Sequence, residues 1–314
     1  MKKTSYILLV LLFLITIQAN TWAQCCAAGN PASNDFEFLA TQKGILRAAY
    51  TLRTSLASAY YQKDSKIDEV FLVDHSKFLF SELAIAYGIF KKIEIGGTLG
   101  YYHKKTEYYN LAGFDALNAK GFGDLSLHAR TVLYASAAQR IRISAMLGVS
   151  LPIGEFDLVQ EGVKLPIQLQ PSAGATKLLS NLYLSKELPS LGLFLFGQLQ
   201  GEFSNRIKSL NFDYKYGNFY SASIGSAYKV NRICNLGLML RGEMREMALR
   251  EANQIVETTG SKVIYLAPRV GLYIYKNWAL ALLPMLPVYR YYNGIQLANT
   301  ASLSIQLSNS FKIN

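Results

Sequence analysis

A regular alternation of apolar and polar residues is the feature that most limits how this chain can fold. The last residues read ASLSIQLSNSFKIN, in which Leu303, Ile305, Leu307, Phe311 and Ile313 are separated by polar side chains. Because successive side chains of a β-strand point to opposite faces, this segment predicts a strand with one apolar and one polar face.

The same alternation recurs along the chain and predicts about twelve strands joined alternately by short and long connections. Short connections fall near 91, 136–138, 231–232 and 277, and long ones cover 62–76, 107–120, 154–165, 206–211, 249–260 and 292–298, whereas a longer connection at 180–189 fits less well. The segments run roughly over 43–61, 77–90, 92–106, 121–135, 139–153, 166–179, 190–205, 212–230, 233–248, 261–276, 278–291 and 299–313. An even number of strands with this alternation of connections indicates an all-β fold, a transmembrane antiparallel up-and-down β-barrel of the outer-membrane type.

A secreted β-sandwich is the alternative that would also show alternating strands. The predicted strands of about 10–15 residues are longer than those of most globular sheets. Many of the 21 Tyr and 16 Phe residues lie near predicted strand ends, for example Tyr101-Tyr102 and Tyr108-Tyr109. Aromatic girdles at the two membrane interfaces explain that placement, so the barrel is the favoured interpretation.

The N-terminus has the pattern of an export signal. Lys2 and Lys3 precede an apolar run at 7–17, which is too short to span a membrane, and Ala23 ends a small-residue cleavage pattern. We therefore expect residues 1–23 to be a signal peptide, residues 24–42 to form a short periplasmic tail or partial plug, and residues 43–314 to form the barrel. Export of this kind predicts the bacterial outer membrane as the location.

Three cysteines remain after cleavage before Gln24. Cys25 and Cys26 lie in the tail, and Cys234 lies at a turn that the predicted topology puts on the same side of the membrane. A disulfide from the tail to Cys234, a free pair of thiols, and lipidation of Cys25 after cleavage at Gln24 are the alternatives that the sequence leaves open. The three histidines are scattered, so no metal site and no cofactor are predicted.

Enzymatic activity is not expected. Outer-membrane phospholipases place a serine two residues after the catalytic histidine, whereas here Arg130 follows His128 and Lys105 follows His103 at that spacing. The sequence shows no Gly-rich phosphate loop and no arrangement of serine, histidine and acid that strand geometry supports.

The polar faces of the predicted strands carry charges that must face the lumen, because lipid penalises them by about 2–4 kcal/mol each. One interpretation is a ladder of mutually paired side chains that fills the barrel. The other is a lumen of positive potential that concentrates anions. The lumen-facing candidates are Arg47, Arg53, Glu82, Glu94, Arg130, Arg142, Glu202, Arg241, Glu243, Arg245, Arg269 and Arg290.

Several motifs from residue 121 onward resemble one family of barrels. The pair GFGDLSLHARTVL and ISAMLGVSLPIGEFD, followed by PIQLQPSAGATKLL, DYKYGNFYSASIGSAY, VIYLAPRVGLYI and LPVYRYYNGIQLANTASLSI, is similar to the outer-membrane transporter-like family named after phenol meta-pathway degradation. The matching positions are Gly121, Gly123, Asp124, Pro152, Gly154, Pro171, Gly217, Gly225, Pro268, Pro287, Tyr289, Gly294 and Gln296. The resemblance implies a transporter-like barrel, similar to channels for hydrophobic compounds, without implying a particular substrate.

Two functions are therefore expected. The first is an outer-membrane transporter or channel-like barrel that passes a small solute, either hydrophobic and aromatic or anionic. The second is a non-conducting barrel whose lumen is blocked and whose loops bind or scaffold a partner. The expected partners are outer-membrane lipid and a small-molecule solute. The net charge of +11 does not indicate nucleic acid, since no basic patch with stacking aromatic residues appears.

Overall fold

The computed structural model describes residues 43–69, 71–112, 114–160, 162–209, 212–275 and 277–313, so the predicted signal peptide and tail lie outside the described residues. In these ranges no helix is long and apolar enough to cross a membrane. The barrel strands are β1 (Ile45–Lys63), β2 (Val73–Gly88), β3 (Ile93–Leu111), β4 (Phe114–Ser136), β5 (Ile141–Leu151), β6 (Lys177–Leu188), β7 (Leu193–Ser204), β8 (Phe219–Lys229), β9 (Cys234–Arg245), β10 (Ser261–Tyr275) and β11 (Trp278–Lys312).

Each strand pairs antiparallel with its neighbours in chain order, and pairing of β11 with β1 closes the ring. A twelfth strand, Ser65–Ile67, pairs with β1 outside the ring. β11 forms two antiparallel segments of the barrel wall, because its first part pairs with β10 up to Tyr292 and its second part pairs with β1 from Ile295 onward. The chain reverses at Asn293-Gly294, where Gly294 has a φ of 62° that glycine readily adopts. The eleven strands therefore form twelve antiparallel segments of the barrel wall. The predicted all-β antiparallel barrel is confirmed.

The two faces of the wall differ as the alternation predicts. Large apolar side chains on the outer face are exposed, with Ile224 at 65% and Leu147 at 64%. Ser223 and Ser144, which point to the lumen, are almost fully buried. A continuous apolar belt of this kind is unfavourable in water and matches the lipid-facing band of a membrane barrel.

Two long connections predicted from the sequence are wrong. Residues 107–120 form the top of a tall hairpin, in which β3 continues to Leu111 and β4 starts at Phe114. Residues 292–298 form a tight reversal within β11. Polar residues in both segments suggested loops, but backbone pairing continues through them beyond the apolar belt.

The predicted strand at 166–179 is also wrong, and with it the connection at 180–189. The strand is β6, in which Leu178, Leu182 and Leu184 face outward. Pro166 and Pro171 interrupt the predicted segment, and proline has no N–H to donate to a central strand. Residues 152–176 instead form a long connection that enters the barrel, and we call it the inner loop.

The remaining long connections carry short strands of their own. Ile207–Ser209, Phe212–Lys215, Ala248–Arg250 and Gln254–Val256 form a four-stranded sheet above the barrel rim. Arg206 ties this sheet together, because its guanidinium contacts Asp213, donates to Oδ1 of Asn253 at 2.6 Å and donates to the carbonyl of Arg250 at 2.7 Å. All long connections lie at one end of the barrel, the long-loop end, and the short turns lie at the other, the short-turn end.

Candidate functional site: the barrel lumen

A cavity of about 880 Å³ occupies the barrel at the short-turn end. Residues of the short turns, including Arg140, Pro189, Arg232 and Asn277, line its mouth, so the cavity opens at that end. Strand alternation supplies the rest of its lining from the lumen faces of the barrel strands. A volume of this size is typical of small-molecule sites.

The charged side chains that line the cavity are mostly basic. Six lining residues are cationic and three are acidic, and one lining histidine adds a further titratable group. The cations are Arg47, Arg130, Arg140, Lys229, Arg232 and Arg269, and the acids are Glu82, Glu187 and Glu202. Apolar side chains interrupt this charged surface, namely those of Ala84, Ala86, Met146, Leu179 and Phe194. The lining therefore has both a positive and an apolar character.

A carboxylate clamped by two arginines forms part of the wall beside this cavity. Oε2 of Glu94 accepts a 2.6 Å hydrogen bond from Arg47, and Oε1 of Glu94 lies 3.3 Å from Nη1 of Arg130. The Glu94 side chain is fully buried, whereas Arg47 remains partly exposed to the cavity. This cluster, in which one carboxylate contacts two guanidinium groups, fits the interpretation of a paired ladder.

His128 lies next to the same cluster. Its ring covers Gly96 of β3, where an added Cβ would lie 2.7 Å from Nε2 of His128. Nε2 is buried and has no hydrogen-bond partner among the described residues, although the histidine lines the cavity. A glycine is therefore required at position 96 for this histidine to take its place in the wall.

The inner loop narrows the lumen above the cavity. Leu165 and Leu169 are almost fully buried and pack against Leu117 and Ala119 of β4. Gln170 is 2% exposed, and its side chain bonds the backbone of Leu158 and Leu165. A loop with its own buried core and satisfied amide groups is a built part of the lumen rather than a loose connection.

Polar contacts fasten the inner loop to the wall. Nζ of Lys105 donates to the carbonyl of Gln170 at 2.8 Å. Oδ1 of Asp124 accepts from Oγ of Ser172 at 2.6 Å and from the backbone N–H of Ala173 at 3.1 Å. These contacts join the loop to β3 and β4, and Asp124 carries two of them.

The structure places the other predicted charges at several heights along the lumen wall. Arg53 donates to Ser304 at 3.1 Å, and Arg290 donates to the carbonyl of Asn299 at 3.2 Å and to the hydroxyl of Tyr61 at 3.3 Å. Arg269 donates to Oδ1 of Asn235 at 3.1 Å. Each therefore bonds neutral partners as well as facing the lumen.

A second carboxylate–guanidinium contact involves neighbouring positions of one strand. Arg241 donates to Oε1 of Glu243 at 2.7 Å and to Oε1 of Gln200 at 3.3 Å. Arg245 lies near the long-loop end, with its guanidinium 4.9 Å from the ring centre of Phe219. Arg142 lies near the short-turn end and is not among the residues that line the cavity in the described part of the chain.

Sequence reasoning missed several charged lumen residues. Lys177 lies 3.7 Å from Glu202 and is buried, but it was placed at the end of a wrongly predicted strand. Lys105 lies in the predicted strand 92–106, but strict alternation from Glu94 gives it the outer face, and Glu107 was assigned to a loop. Asp124 could have been found, because strand alternation puts it on the same face as Arg130. The missed residues add two cations and two carboxylates, so the excess of cations in the lumen is unchanged.

A row of aromatic rings leads from the long-loop surface toward the lumen. Phe156 contacts Phe212 with 5.7 Å between ring centres, Phe212 contacts Tyr214 at 5.9 Å, and Tyr214 contacts Tyr216 at 5.1 Å. Lys164 lies 5.5 Å from the ring centre of Phe212. The outer three rings are half-buried and Tyr216 is buried, so the row presents ring faces to a solute that approaches the inner loop.

The residues considered for other chemistry lie apart. His103 lies on the outer face, 2.9 Å from Oγ of Ser81, and packs against Tyr101. The described residues contain no group of three or more His, Cys, Asp or Glu side chains that could hold a metal ion. Cys234 is half-buried and forms no disulfide with another described residue, and Cys25 and Cys26 lie outside the described residues.

Comparison with known proteins agrees with this architecture. No protein-family model matches the chain, and no curated protein sequence matches it. The structure is similar to that of an outer membrane channel from Pseudomonas putida F1, with a TM-score of 0.72 and 12% identity over 90% of this chain and 100% of that chain.

Two autotransporter domains are more distant. The beta domain of the Bordetella autotransporter BrkA has a TM-score of 0.47 and 13% identity, covering 86% of this chain and all of that domain. The translocator domain of NalP from Neisseria meningitidis has a TM-score of 0.46 and 12% identity, covering 87% of this chain and 90% of that one. These two scores are too low to support an argument. The chain therefore has the fold of an outer-membrane β-barrel.

Proposed function

We propose that this protein is an outer-membrane channel that passes small anionic solutes with an apolar part. The observation that carries the proposal is the 880 Å³ cavity, whose lining combines twice as many cations as acids with apolar side chains. A lumen of positive potential raises the local concentration of anions. Its apolar patches favour solutes that also carry a hydrophobic group.

Aromatic carboxylates and sulfonates are the solute class that fits both parts of the lining. A flat ring can contact Met146, Leu179 and Phe194, while its anionic group lies near Arg130 or Arg269. The aromatic row at the long-loop end offers a path of ring faces toward the inner loop, with Lys164 beside it. The resemblance to the phenol meta-pathway type of barrel implies a channel for hydrophobic compounds, which agrees with the apolar part of this lining, and membership of that family is part of the proposal.

The proposed orientation and location follow the general rule for such barrels. Short turns face the periplasm and long loops face the exterior. The cavity mouth is then periplasmic, and the inner loop lies on the exterior side. Export would proceed through cleavage of residues 1–23, leaving residues 24–42 at the periplasmic end as a tail or partial plug.

A non-conducting barrel is the second candidate, and one observation favours it. Leu169 and Gln170 of the inner loop are only 1% and 2% exposed, so they are as buried as residues of a closely packed protein interior. If that packing does not open, the lumen is a dead-end cavity and the loops at the long-loop end become the functional surface.

Tracer uptake into vesicles that contain the purified protein tests the proposal. Benzenesulfonate and phenyltrimethylammonium are of similar size, carry opposite permanent charges and cross bare bilayers slowly. We expect benzenesulfonate to enter several times faster, and the double substitution Arg130→Gln and Arg269→Gln to remove most of that difference. Lys262→Gln, at an exposed position that faces outward from β10, is the control and should leave it unchanged. Faster entry of the cation would overturn the proposed selectivity, and entry of neither solute would favour the non-conducting barrel.

A further inference from the structure

Three neighbouring strands share a feature on the outer face of the barrel, on the side toward the long loops. On each strand, a lysine faces outward just beyond the last apolar or aromatic side chain of the belt, and on β3 the exposed His103 lies between the two. On β2 Lys77 follows Leu79, on β3 Lys104 follows Tyr101 across a bulge, and on β4 Lys120 follows Phe122. Leu79 is 38% exposed and Phe122 is 53% exposed, so they belong to the lipid-facing belt.

Strand register brings these lysines together. Lys104 pairs with Leu79 of β2, and Lys77 pairs with Thr106 two positions farther along β3. Lys105 pairs with Ala119 of β4, which places Lys104 next to Lys120 on the outer face. Tyr108 joins two of them, because the ammonium groups of Lys77 and Lys104 both interact with its phenol, and Nζ of Lys77 lies 4.6 Å from its ring centre.

Lys77, Lys104, Lys120 and Tyr108 form a basic patch, which His75 completes. Few carboxylates offset its positive charge. The His75 ring stacks on Tyr108 with 4.2 Å between ring centres, and its Nδ1 lies 2.6 Å from the carboxylate of Asp74. Asp68, in the connection after β1, pairs with Lys66. Within the described ranges, none of the three patch lysines forms an ion pair with a carboxylate. Lys104 and Lys120 are exposed.

The described outer rim over β8–β10 differs from this patch. On the wall formed by β8 and β9, the outward groups beyond the apolar belt include Tyr220 and the adjacent Glu246, whose Oε1 lies 3.2 Å from the Tyr220 hydroxyl. Lys262 on β10 faces outward between Met244 and Tyr291, so it has no basic cross-strand neighbour. Compared with β8–β10, the outer rim over β2–β4 carries a cluster of positive charge.

We propose that Lys77, Lys104, Lys120, Tyr108 and His75 bind the phosphate groups of an anionic glycolipid in the outer leaflet of the membrane. The patch lies at the height where lipid headgroups meet the apolar belt, and its ammonium and phenol groups are donors that suit phosphate oxygens. This inference rests on the proposed orientation, with long loops outside, but not on conduction through the lumen. A free phosphate ion lacks the acyl chains that would hold it against Leu79 and Phe122, so the lipid is the occupant.

Native mass spectrometry of the protein in detergent micelles, with added diphosphorylated lipid A, tests the proposal. We expect lipid A to bind, and enzymatically dephosphorylated lipid A to bind at least about tenfold more weakly, because it lacks the anionic groups that attract the lysine ammonium groups. Equal binding of the two lipids by the wild-type protein would overturn the proposal without any variant. Competition by inorganic phosphate at low millimolar concentration would show an ion site instead and would also overturn it.

A triple substitution, Lys77→Gln, Lys104→Gln and Lys120→Gln, keeps the side-chain stems and removes the charges. Its affinity for diphosphorylated lipid A should fall by roughly 100-fold. The double variant Lys186→Gln and Lys262→Gln, which changes outward lysines elsewhere on the barrel, is the control and should bind as the wild type does. Heat-modifiable gel migration establishes that each variant is folded. A folded triple variant with unchanged affinity would contradict the proposal, and because the readout involves no ion flux, a closed lumen would not affect it.

Discussion

Arg47 donates a 2.6 Å hydrogen bond to Glu94 inside the barrel, although the two residues are 47 positions apart in the chain. The glutamate is fully buried and also lies within ion-pair distance of Arg130. One carboxylate therefore offsets two guanidinium groups at the wall of the cavity. This cluster contributes to the positive charge of the lumen wall.

Replacing Glu94 with Gln should destabilise the barrel and increase its preference for anions. The neutral amide removes the carboxylate charge that contacts both Arg47 and Arg130, and breaking a buried pair typically costs about 3–5 kcal/mol. We expect a loss near the lower end of that range, because Arg47 is partly exposed to the cavity. Denaturant unfolding in lipid vesicles measures the first effect and reversal potential the second. Glu69→Gln, at an exposed loop position, is the control, and equal behaviour of the two variants would contradict the prediction.

Releasing the inner loop should enlarge the conducting path. Asp124→Ala removes the acceptor that binds Ser172 and the backbone of Ala173, so the loop loses two of its contacts with the wall. Single-channel recording should then show a larger conductance or more frequent open events than the wild type. Glu251→Ala, in an exposed connection, should leave the recordings unchanged. Identical recordings for Asp124→Ala and the wild type would mean that the loop does not control the path.

The apolar outer face should not tolerate charge at the centre of the belt. Ile224 is 65% exposed and faces outward from β8, so Ile224→Arg places a guanidinium in hydrocarbon. We expect the free energy of unfolding in lipid vesicles to fall by about 2–4 kcal/mol. Ile224→Ala provides the comparison for lost apolar area alone. A cost for arginine no greater than that for alanine would show that this face does not contact lipid.

The mature N-terminus remains a prediction, since residues 1–42 lie outside the described structure. Intact-mass measurement of the purified protein should give a chain that begins at Gln24, and alkylation before reduction should count its free thiols. A mass increase by acyl groups on Cys25 would show lipidation instead. Loss of two alkylatable thiols would indicate a disulfide between a tail cysteine and Cys234, or between the two tail cysteines.

Much of this architecture could be predicted from the sequence because a barrel wall repeats one simple rule. Successive residues such as Leu303, Ser304 and Ile305 lie on alternate faces of a strand because of backbone geometry alone, irrespective of their neighbours. The same rule assigned Glu94 and Arg130 to one face. It could not show that their side chains meet Arg47, because that contact depends on the stagger between strands.

The inner loop could not be predicted from the sequence for a different reason. Its segment contains short apolar–polar alternation around Ile167 and Leu169 that looks like a strand, and only tertiary packing turns those residues into the core of a folded loop. Lys177 was consequently misplaced. The bulge between Tyr102 and Lys105 likewise changed which residues face the lumen, and no local signal marks it.

The reversal potential across a planar bilayer, under a gradient of potassium chloride, tests the central claim most directly. The account predicts a small but measurable current with a reversal potential on the anion-selective side, which moves toward zero when Arg130 and Arg269 are both replaced by Gln. A cation-selective reversal potential, or no current from correctly folded protein, would contradict it.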